Sequence, residues 1–283
     1  MNKQEYFTFI VLHYNCFEET RACVDSIMRL DQSDQIRVVV VDNASVNDSL
    51  EKLQQAYREN EQIHILHNEE NAGFSTGNNK GYEYARLHWG SEFVVFANND
   101  LLFEDREFIA KVRREYENSR FGILSPDIFH TTLKLHQSPM DEQMVLPAAG
   151  VKKTILFNQL ALWMYPLFYA VYGKTMKETK ASVSDLSYRK NVVPMGACLI
   201  CSKTLMDRKR VIFSPETHFY YEEYILSYWC QQNNVDIVFQ PEIQVLHNHG
   251  MATKSLGDKK GVTKFRMKNI LQAARVYYRL ITS

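Results

Sequence analysis

Carboxylate and amide side chains recur in this sequence where apolar segments end. Three short polar groups follow such segments: His13-Tyr14-Asn15, Asp42-Asn43-Ala44-Ser45 and Asn98-Asn99-Asp100. The pair Glu222-Glu223 and the lone His247 lie further along the chain. One polar group of this kind is ordinary turn or helix-cap chemistry. Several groups on one edge of a sheet would instead indicate a shared polar ligand.

The carboxylates among these residues suggest specific chemistry. Asp42 can accept a hydrogen bond from a nucleobase imide or a ribose hydroxyl. Asp100 can cap a helix or bind a hard divalent cation that neutralises a diphosphate. His247 would add an imidazole, a mixture that favours Mn²⁺ over Mg²⁺, although a lone histidine is more often a satisfied loop residue. We therefore expect Mn²⁺ or Mg²⁺ as the cofactor.

The segment "HNEENAGFSTGNNKG" (67–81) is unusually rich in asparagine and glycine around a single phenylalanine. Its amides offer both hydrogen-bond donors and acceptors, and its glycines let a ligand approach the backbone closely. We predict a loop here, followed by a helix from about Thr76 to Trp89. The turn after the first strand has no GxGxxG and the chain has no GxxxxGK[ST], which argues against a dinucleotide or P-loop site.

Alternating strand and helix patterns must position these groups. The strand-like runs are "YFTFIVLHY", "IRVVVVD", "IHILHN", "EFVVFANND", "VVPMGACLICS" and "VDIVFQP". Apolar residues at helical spacing separate the first four runs, which predicts strand–helix units and a largely parallel sheet. Because ligands bind outside the carboxyl ends of such strands, the polar groups are expected to meet at one edge.

The composition restricts the function. The chain of 283 residues has 33 basic and 33 acidic residues, so nothing favours a nucleic-acid surface. The N-terminus shows no signal-peptide pattern. The five cysteines include one CxxC, Cys198 and Cys201, inside a predicted strand. We expect buried thiols in a reducing cytosol rather than a zinc or redox site.

An insert at 151–190 departs from the alternation. It is dense in aromatic and aliphatic residues, Pro166 interrupts it, and four lysines flank the apolar stretch: Lys152, Lys153, Lys174 and Lys177. The stretch is too short and broken for a membrane span. Two interpretations remain open: a core helical hairpin, or an amphipathic patch with basic edges that lies on a membrane.

Together these motifs resemble a known family. "VVVVDNASVNDS", "NEENAGFSTGNNKG" and "FVVFANND" are similar to the N-terminal signature of family-two glycosyltransferases with the GT-A fold, especially rhamnosyltransferase-like bacterial enzymes of surface-polysaccharide assembly. "MGACLICSK", "FYYEEYILSYWCQQNN" and "VLHNHG" resemble the acceptor-side strand, the Glu-Asp motif and the late histidine of that family. The resemblance covers residues 6–250 except the insert.

The resemblance implies a fold and a set of site residues. The fold is a mixed, mostly parallel α/β sheet flanked by helices, with a nucleotide-sugar half (1–125), an acceptor half (126–283), the helical insert and a C-terminal helix. Asp100 and His247 would bind the metal, and Gly196 and Ala197 would line the acceptor side. The implied nucleotide-sugar residues are Tyr14, Asn15, Asp42, Asn43, Ser45, Asn71, Gly73, Phe74, Asn78, Asn79, Asn98 and Asn99.

The implied reaction is sugar transfer with inversion, in which one carboxylate takes the proton of the acceptor hydroxyl. In the family this base is the Asp of Glu-Asp. Here Glu223, one methylene longer, occupies that position. Because of this departure Glu222 remains a rival base. Alternatively, both residues could simply begin a solvated helix.

The expected donor is a UDP- or dTDP-sugar, and the expected acceptor is a saccharide or a lipid-linked hydroxyl. The expected location is the cytoplasm, with a site at the inner face of the plasma membrane left open. A catalytically weak relative that binds polysaccharide-assembly partners is the alternative. A nucleotidyltransferase is disfavoured because no Gly- and Arg/Lys-rich loop lies near the first strand.

Overall fold

The computed structural model describes residues 6–172, 182–248 and 259–283. The strands are β1 (Tyr6–His13), β2 (Ile36–Asp42), β3 (Ile63–His67), β4 (Ser91–Asn98), β5 (Leu101–Leu102), β6 (Ile123–His130), β7 (Leu135–His136), β8 (Arg189–Lys190), β9 (Cys198–Ser202) and β10 (Ile237–His247). The helices are α1 (Phe17–Met28), α2 (Ser49–Ala56), α3 (Gly73–His88), α4 (Phe108–Ser119), α5 (Ala148–Trp163), α6 (Tyr165–Tyr172), α7 (Lys203–Met206), α8 (Glu222–Gln232) and α9 (Lys259–Thr282). Lys174 and Lys177 lie outside the described residues.

The strands form one mixed sheet in the order β3-β2-β1-β4-β9-β6-β10-β5. β3, β2, β1 and β4 are parallel, β9 runs antiparallel between β4 and β6, and β10 is parallel to β6. The predicted mixed, mostly parallel sheet flanked by helices is confirmed. The boundary at 125/126 falls inside β6, and the division into two halves stays a prediction.

The core lies on both faces of this sheet. The run "IRVVVVD" is buried along nearly its whole length because helices cover both sides of β2. Cys198 packs in the core on one face and Cys201 in the core on the other, as expected for residues three apart in a strand. All five cysteines are buried free thiols, which confirms that part of the prediction.

The Asn-rich segment is mostly helix rather than loop, so the prediction of a long loop was wrong. Only 68–72 connect β3 to α3, which begins at Gly73 instead of near Thr76. Side chains cap this start: the Asn71 carbonyl accepts from the Gly73 N–H (3.1 Å), and the Asn43 carbonyl accepts from the Ala72 N–H (3.0 Å). Asn43 is 29 residues earlier in the chain, so local patterns do not reveal this cap.

The aromatic insert forms two helices, α5 and α6, which meet at a bend of 102° beside Pro166. One side of α5 packs on the C-terminal helix α9, with Val151 and Ala161 buried. Within the described ranges, no single helix is long and apolar enough to cross a membrane, but the bent pair meets those criteria when its two helices are taken together. One side of the insert is therefore core, and contact of its exposed side with a membrane stays a prediction.

Glycine at position 81 sets how closely α3 approaches the sheet. A Cβ there would lie 2.6 Å from Cγ2 of Ile10 and 2.9 Å from Cγ2 of Val41, both in the buried sheet. We therefore expect Gly81→Ala to lower the free energy of unfolding by about 1–3 kcal/mol through overpacking. Urea denaturation followed by circular dichroism measures this change.

Gly150→Ala is the matched control, because nothing lies within 4 Å of a Cβ at that position near the start of α5. The free energy of unfolding should stay level or rise by up to about 1 kcal/mol, from helix propensity. Equal stability of the two variants would show that α3 can move away from the sheet at little cost.

Candidate active site

His13, at the carboxyl end of β1, connects three of the polar groups. Its Nδ1 lies 2.6 Å from the Thr20 hydroxyl and its Nε2 lies 2.9 Å from the Ser49 hydroxyl. Thr20 donates to the carbonyl of Cys16 (2.9 Å) and accepts from the side-chain amide of Asn99 (2.9 Å). Each of these polar atoms has a partner of the right kind if Nδ1 of His13 donates its proton to Thr20 and Nε2 accepts from the Ser49 hydroxyl.

This arrangement keeps His13 neutral. The side chain is fully buried, and burial lowers the pKa of His13 to about 4, despite the opposing effect of Asp42, whose Oδ1 lies 3.9 Å away. The imidazole therefore connects the end of β1 to α1 and α2 and, through Thr20, to the end of β4. It holds the strand ends in position.

Asp42 is completely buried, and two neighbours hold its carboxylate. The Ser45 N–H lies 3.3 Å from each oxygen, and Nδ1 of His67 lies 2.7 Å from Oδ2. A carboxylate only accepts, so Nδ1 of His67 carries a proton, which in the neutral ring leaves a lone pair on Nε2. The His67 side chain is 48% exposed and lies between Asp42 and solvent. Sequence reasoning missed His67, although its position at the end of β3 was available as a signal.

The loops after β1 and β2 are hydrogen-bonded to each other. The Asn15 N–H donates to the Ser45 hydroxyl (2.8 Å), and the Val46 N–H donates to the Asn15 side-chain oxygen (2.8 Å). Asn15 and Ala44 adopt left-handed backbone angles, with φ of 59° and 61°. Tyr14 lies half-buried at the same edge. The structure therefore brings Tyr14, Asn15, Asp42 and Ser45 together.

The side chains of the Asn-rich segment are engaged within the protein. Asn43 donates to the side-chain oxygen of Asn71 (3.0 Å), and Asn78 donates to the carbonyl of Phe74 (3.0 Å). Asn79 donates to the Phe213 carbonyl (2.8 Å) and accepts from the Phe213 N–H (3.0 Å). The rings of Phe74 and Phe213 meet edge to face at 5.1 Å. These contacts hold the start of α3 and attach it to the segment at Phe213, and a role in reading a ligand stays a prediction.

Asp100 and His247 meet because β5 pairs with the end of β10. Nε2 of His247 lies 3.2 Å from Oδ1 of Asp100, and both side chains are nearly buried. Nδ1 of His247 donates to Oε1 of Gln137 (2.7 Å), which in the neutral ring leaves a lone pair on Nε2. Two facing acceptors at this distance repel each other unless a proton or a cation lies between them.

This pair fits a divalent cation. Adjacent ligands of an octahedral Mg²⁺ with bonds of 2.0–2.1 Å are about 3 Å apart, close to the observed separation. Within 6–172, 182–248 and 259–283, no group of three or more His, Cys, Asp and Glu is placed to hold a metal ion. Phosphate oxygens and water would complete the shell of a cation held by Asp100 and His247.

The segment that leads into β9 connects the end of β4, two residues before Asp100, to the acidic pair. The Asn98 N–H donates to the carbonyl of Ala197 (2.9 Å), and the Gly196 N–H donates to Oε1 of Glu223 (3.2 Å). A Cβ at position 196 would lie 2.2 Å from that same oxygen, so this contact requires glycine. The predicted acceptor-side residues Gly196 and Ala197 therefore lie between Asn98 and the acidic pair.

The two glutamates begin helix α8 in different environments. Glu222 is almost fully buried, and burial together with the charge of Glu223 raises its pKa to about 8. Burial also raises the pKa of Glu223, against the hydrogen bond from Gly196. Tyr220 and Tyr221, just before the pair, have φ of 72° and 65°. Consecutive left-handed residues without glycine store strain, which is common at functional sites.

Comparison with known proteins identifies the family. Solved glycosyltransferases with the GT-A fold resemble this structure in fold. The model of glycosyl transferase family 2 matches residues 8–179, more than half of the chain, and the chain belongs to this family. The low-salt glycan biosynthesis hexosyltransferase Agl10 of Haloferax volcanii is 24% identical over 243 residues. That match covers 85% of this chain and 66% of the length of Agl10.

Two solved structures illustrate the likeness in fold. S. aureus TarS 1–349 in complex with UDP-GlcNAc has a TM-score of 0.58 and 15% identity, over 90% of this chain and 60% of that one. The mannosyltransferase PcManGT from Pyrobaculum calidifontis, in complex with GDP-Man and Mn²⁺, has a TM-score of 0.57 and 16% identity, over 99% of this chain and 71% of that one.

The raised pKa of Glu222 predicts a pH-dependent stability. Between about 4.5 and about 8 the folded state holds a proton that the unfolded state releases, so stability should fall as pH rises through this window. Glu222→Gln should reduce that fall, leaving the part that comes from the raised pKa of Glu223, and should stabilise the protein near pH 8 by an amount on the order of a few kcal/mol. Urea titrations at pH 5, 6.5 and 8 measure the difference.

Glu18→Gln is the matched control, because Glu18 also lies in the first turn of a helix but is exposed. This variant should follow the pH dependence of the wild type. If Glu222→Gln also parallels the wild type at all three pH values, Glu222 is ionised in the folded protein.

Proposed function

We propose that this protein is an inverting glycosyltransferase that moves a sugar from a nucleoside-diphosphate sugar to a hydroxyl of a saccharide or lipid-linked acceptor. One observation carries the proposal: a single sheet edge holds a carboxylate–imidazole pair suited to a cation and, across β9, a buried acidic pair. Family membership agrees with it. The name of the Haloferax relative, a low-salt glycan biosynthesis hexosyltransferase, supports hexosyl transfer in glycan synthesis, and surface-polysaccharide assembly is part of this proposal.

The donor would bind along the ends of β1, β2 and β3. His67, held by buried Asp42, offers its outward Nε2 lone pair to a nucleobase imide N–H. Tyr14 and the Asn15–Ser45 contact lie beside it, on the path toward β4. Because Asp42 is completely buried, we assign it to orienting His67 rather than to touching the base.

Asp100 and His247 would hold the divalent cation, with Gln137 fixing the imidazole ring. When bound, the cation would neutralise charge on the leaving diphosphate. This assignment places the sugar between the metal pair and helix α8. Asn98 and Asn99 would fix the strand end through their contacts with Ala197 and Thr20 rather than bind the metal.

Glu223 is proposed as the base. The oxygen of the acceptor hydroxyl attacks the anomeric carbon from the side opposite the diphosphate, its proton passes to the Glu223 carboxylate, and the carbon–oxygen bond to phosphate breaks with its electron pair leaving on the diphosphate. A carboxylate whose pKa is raised is a stronger base near neutral pH. The charge on Glu223 helps keep the buried Glu222 protonated, so only one of the two is available as a base near pH 7.

The metal assignment predicts the binding behaviour of Asp100→Asn. The amide keeps the size of the carboxylate but loses its charge, so the Mn²⁺-dependent part of donor binding should disappear. Isothermal titration of UDP-, dTDP- and GDP-sugars with and without Mn²⁺ measures this directly, without relying on turnover. Glu104→Gln, at an exposed carboxylate nearby, should bind like the wild type. Undiminished Mn²⁺ enhancement in Asp100→Asn would exclude Asp100 as a ligand.

The base assignment predicts a separation of turnover from binding. Glu223→Gln should lower the rate of nucleoside-diphosphate release and transfer by about 10²–10⁴-fold. Donor affinity should hardly change, because the interaction removed acts in the transition state. Glu222→Gln should retain transfer within about tenfold of the wild type, since a protonated carboxyl and an amide are both neutral.

Two outcomes would contradict this assignment. A loss of transfer in Glu222→Gln alone would move the base one residue earlier. If neither variant slows transfer although both bind donor, the acidic pair is structural, and the protein is better described as a weakly active relative that binds assembly partners.

A further inference from the structure

We propose that α5, α6 and α9 form a docking surface for an anionic lipid bilayer. The exposed side of the insert is apolar in the folded chain. Seven of its large apolar side chains are more than half exposed: Leu156 (52%), Phe157 (57%), Leu160 (60%), Trp163 (79%), Leu167 (57%), Val171 (57%) and Tyr172 (56%). Large aliphatic and aromatic residues clustered in this way mark an interaction surface rather than scattered surface apolar residues.

Charge indicates which partner covers this surface. The three helices contain nine Lys or Arg and no Asp or Glu. The whole chain has 33 of each sign, so the rest of the protein has nine more acidic than basic residues. The cations are therefore concentrated on the unit that also exposes the apolar side chains, which is the combination that binds anionic lipid.

Two exposed basic residues of α9 lie over aromatic rings of α6, namely the half-buried Tyr169 and the buried Tyr165. Nζ of Lys260 lies 6.0 Å from the centre of the Tyr169 ring, and Nζ of Lys264 lies 5.5 Å from that of Tyr165. Lys152 and Lys153 are exposed on the first turns of α5, at its other end. Cations at both ends of an apolar patch can reach lipid phosphates while the patch enters the region between headgroups and acyl chains.

Helices α5 and α9, which carry the docking surface, contact the helix of the acidic pair through their buried side. Val151 of α5 and Ala274 and Tyr277 of α9 pack in one cluster with Ile225 of α8, the helix that begins with Glu222 and Glu223. A bilayer bound at the exposed side would therefore be connected to the acidic pair through the packed helices α5, α9 and α8. Such a bilayer could present a lipid-linked acceptor to the site. That presentation rests on the proposed function, whereas lipid binding does not.

Vesicle flotation tests the surface. The full chain should float with vesicles of phosphatidylcholine containing about 30% phosphatidylglycerol, float less with pure phosphatidylcholine, and bind less as salt rises. Trp163→Ser/Leu167→Ser/Val171→Ser should reduce flotation at least about tenfold, since it removes much of the apolar area that would enter the lipid. The matched control, Leu87→Ser/Leu133→Ser/Val211→Ser, changes three exposed apolar residues elsewhere and should float like the wild type.

A charge variant keeps the test decisive if the triple variant fails to fold. Lys260→Glu/Lys264→Glu should weaken partition into anionic vesicles roughly 25-fold or more, because each basic residue near the lipid contributes about a factor of five. Donor binding by both docking variants should match the wild type, which separates a failure of docking from a failure of the proposed function. Circular dichroism and thermal melting confirm folding.

Three results would overturn the proposal. Equal flotation of the wild type, the triple variant and the lysine variant would exclude this surface. Equal flotation with neutral and anionic vesicles would show that the basic residues do not contribute to binding, which would exclude an anionic bilayer as the specific partner. A wild-type dimer in light scattering that the triple variant converts to a monomer, without lipid binding, would assign the surface to a second copy of the chain.

Discussion

The neutral imidazole of His13 is the constraint on which the geometry of the site depends. It is buried at the end of the central parallel strands, where no water is available to satisfy its ring nitrogens. Two hydroxyls from two different helices satisfy them instead, and one of these hydroxyls also binds Asn99. The ends of β1 and β4, and the helices that follow β1 and β2, are therefore fixed relative to each other before any ligand arrives.

The antiparallel strand β9 divides the edge into two regions with different chemistry. On one side, the parallel strands end in buried polar groups that hold each other in place, and Asp42 orients His67. On the other side, the segment just before β9 contains Gly196, whose missing Cβ admits the Glu223 carboxylate. The two regions are connected by backbone, because the Asn98 N–H at the end of β4 donates to the carbonyl of Ala197, just before β9.

Much of this could be predicted from the sequence where local pattern decides. The run "IRVVVVD" had to be a strand covered on both sides, and the polar groups at strand ends had to meet at one edge. The partners of the asparagines could not be predicted. Asn79 binds backbone 134 residues later, and Asn43 caps a helix that starts 30 residues later. Composition alone does not distinguish an amide that binds a ligand from one that satisfies its own backbone.

The buried side of the insert could not be predicted for a related reason. Its helices have apolar residues on nearly every side, so periodicity does not show which side is buried. Only the position of α9 decides this. The segregation of charge between that unit and the remainder of the chain has a further consequence. A protein with zero net charge normally feels little net force from a charged surface, but separated charges of opposite sign give this molecule a large electric dipole. The field of an anionic surface would exert a torque on that dipole and turn the cationic helices toward the surface. The protein would therefore be oriented before it makes contact.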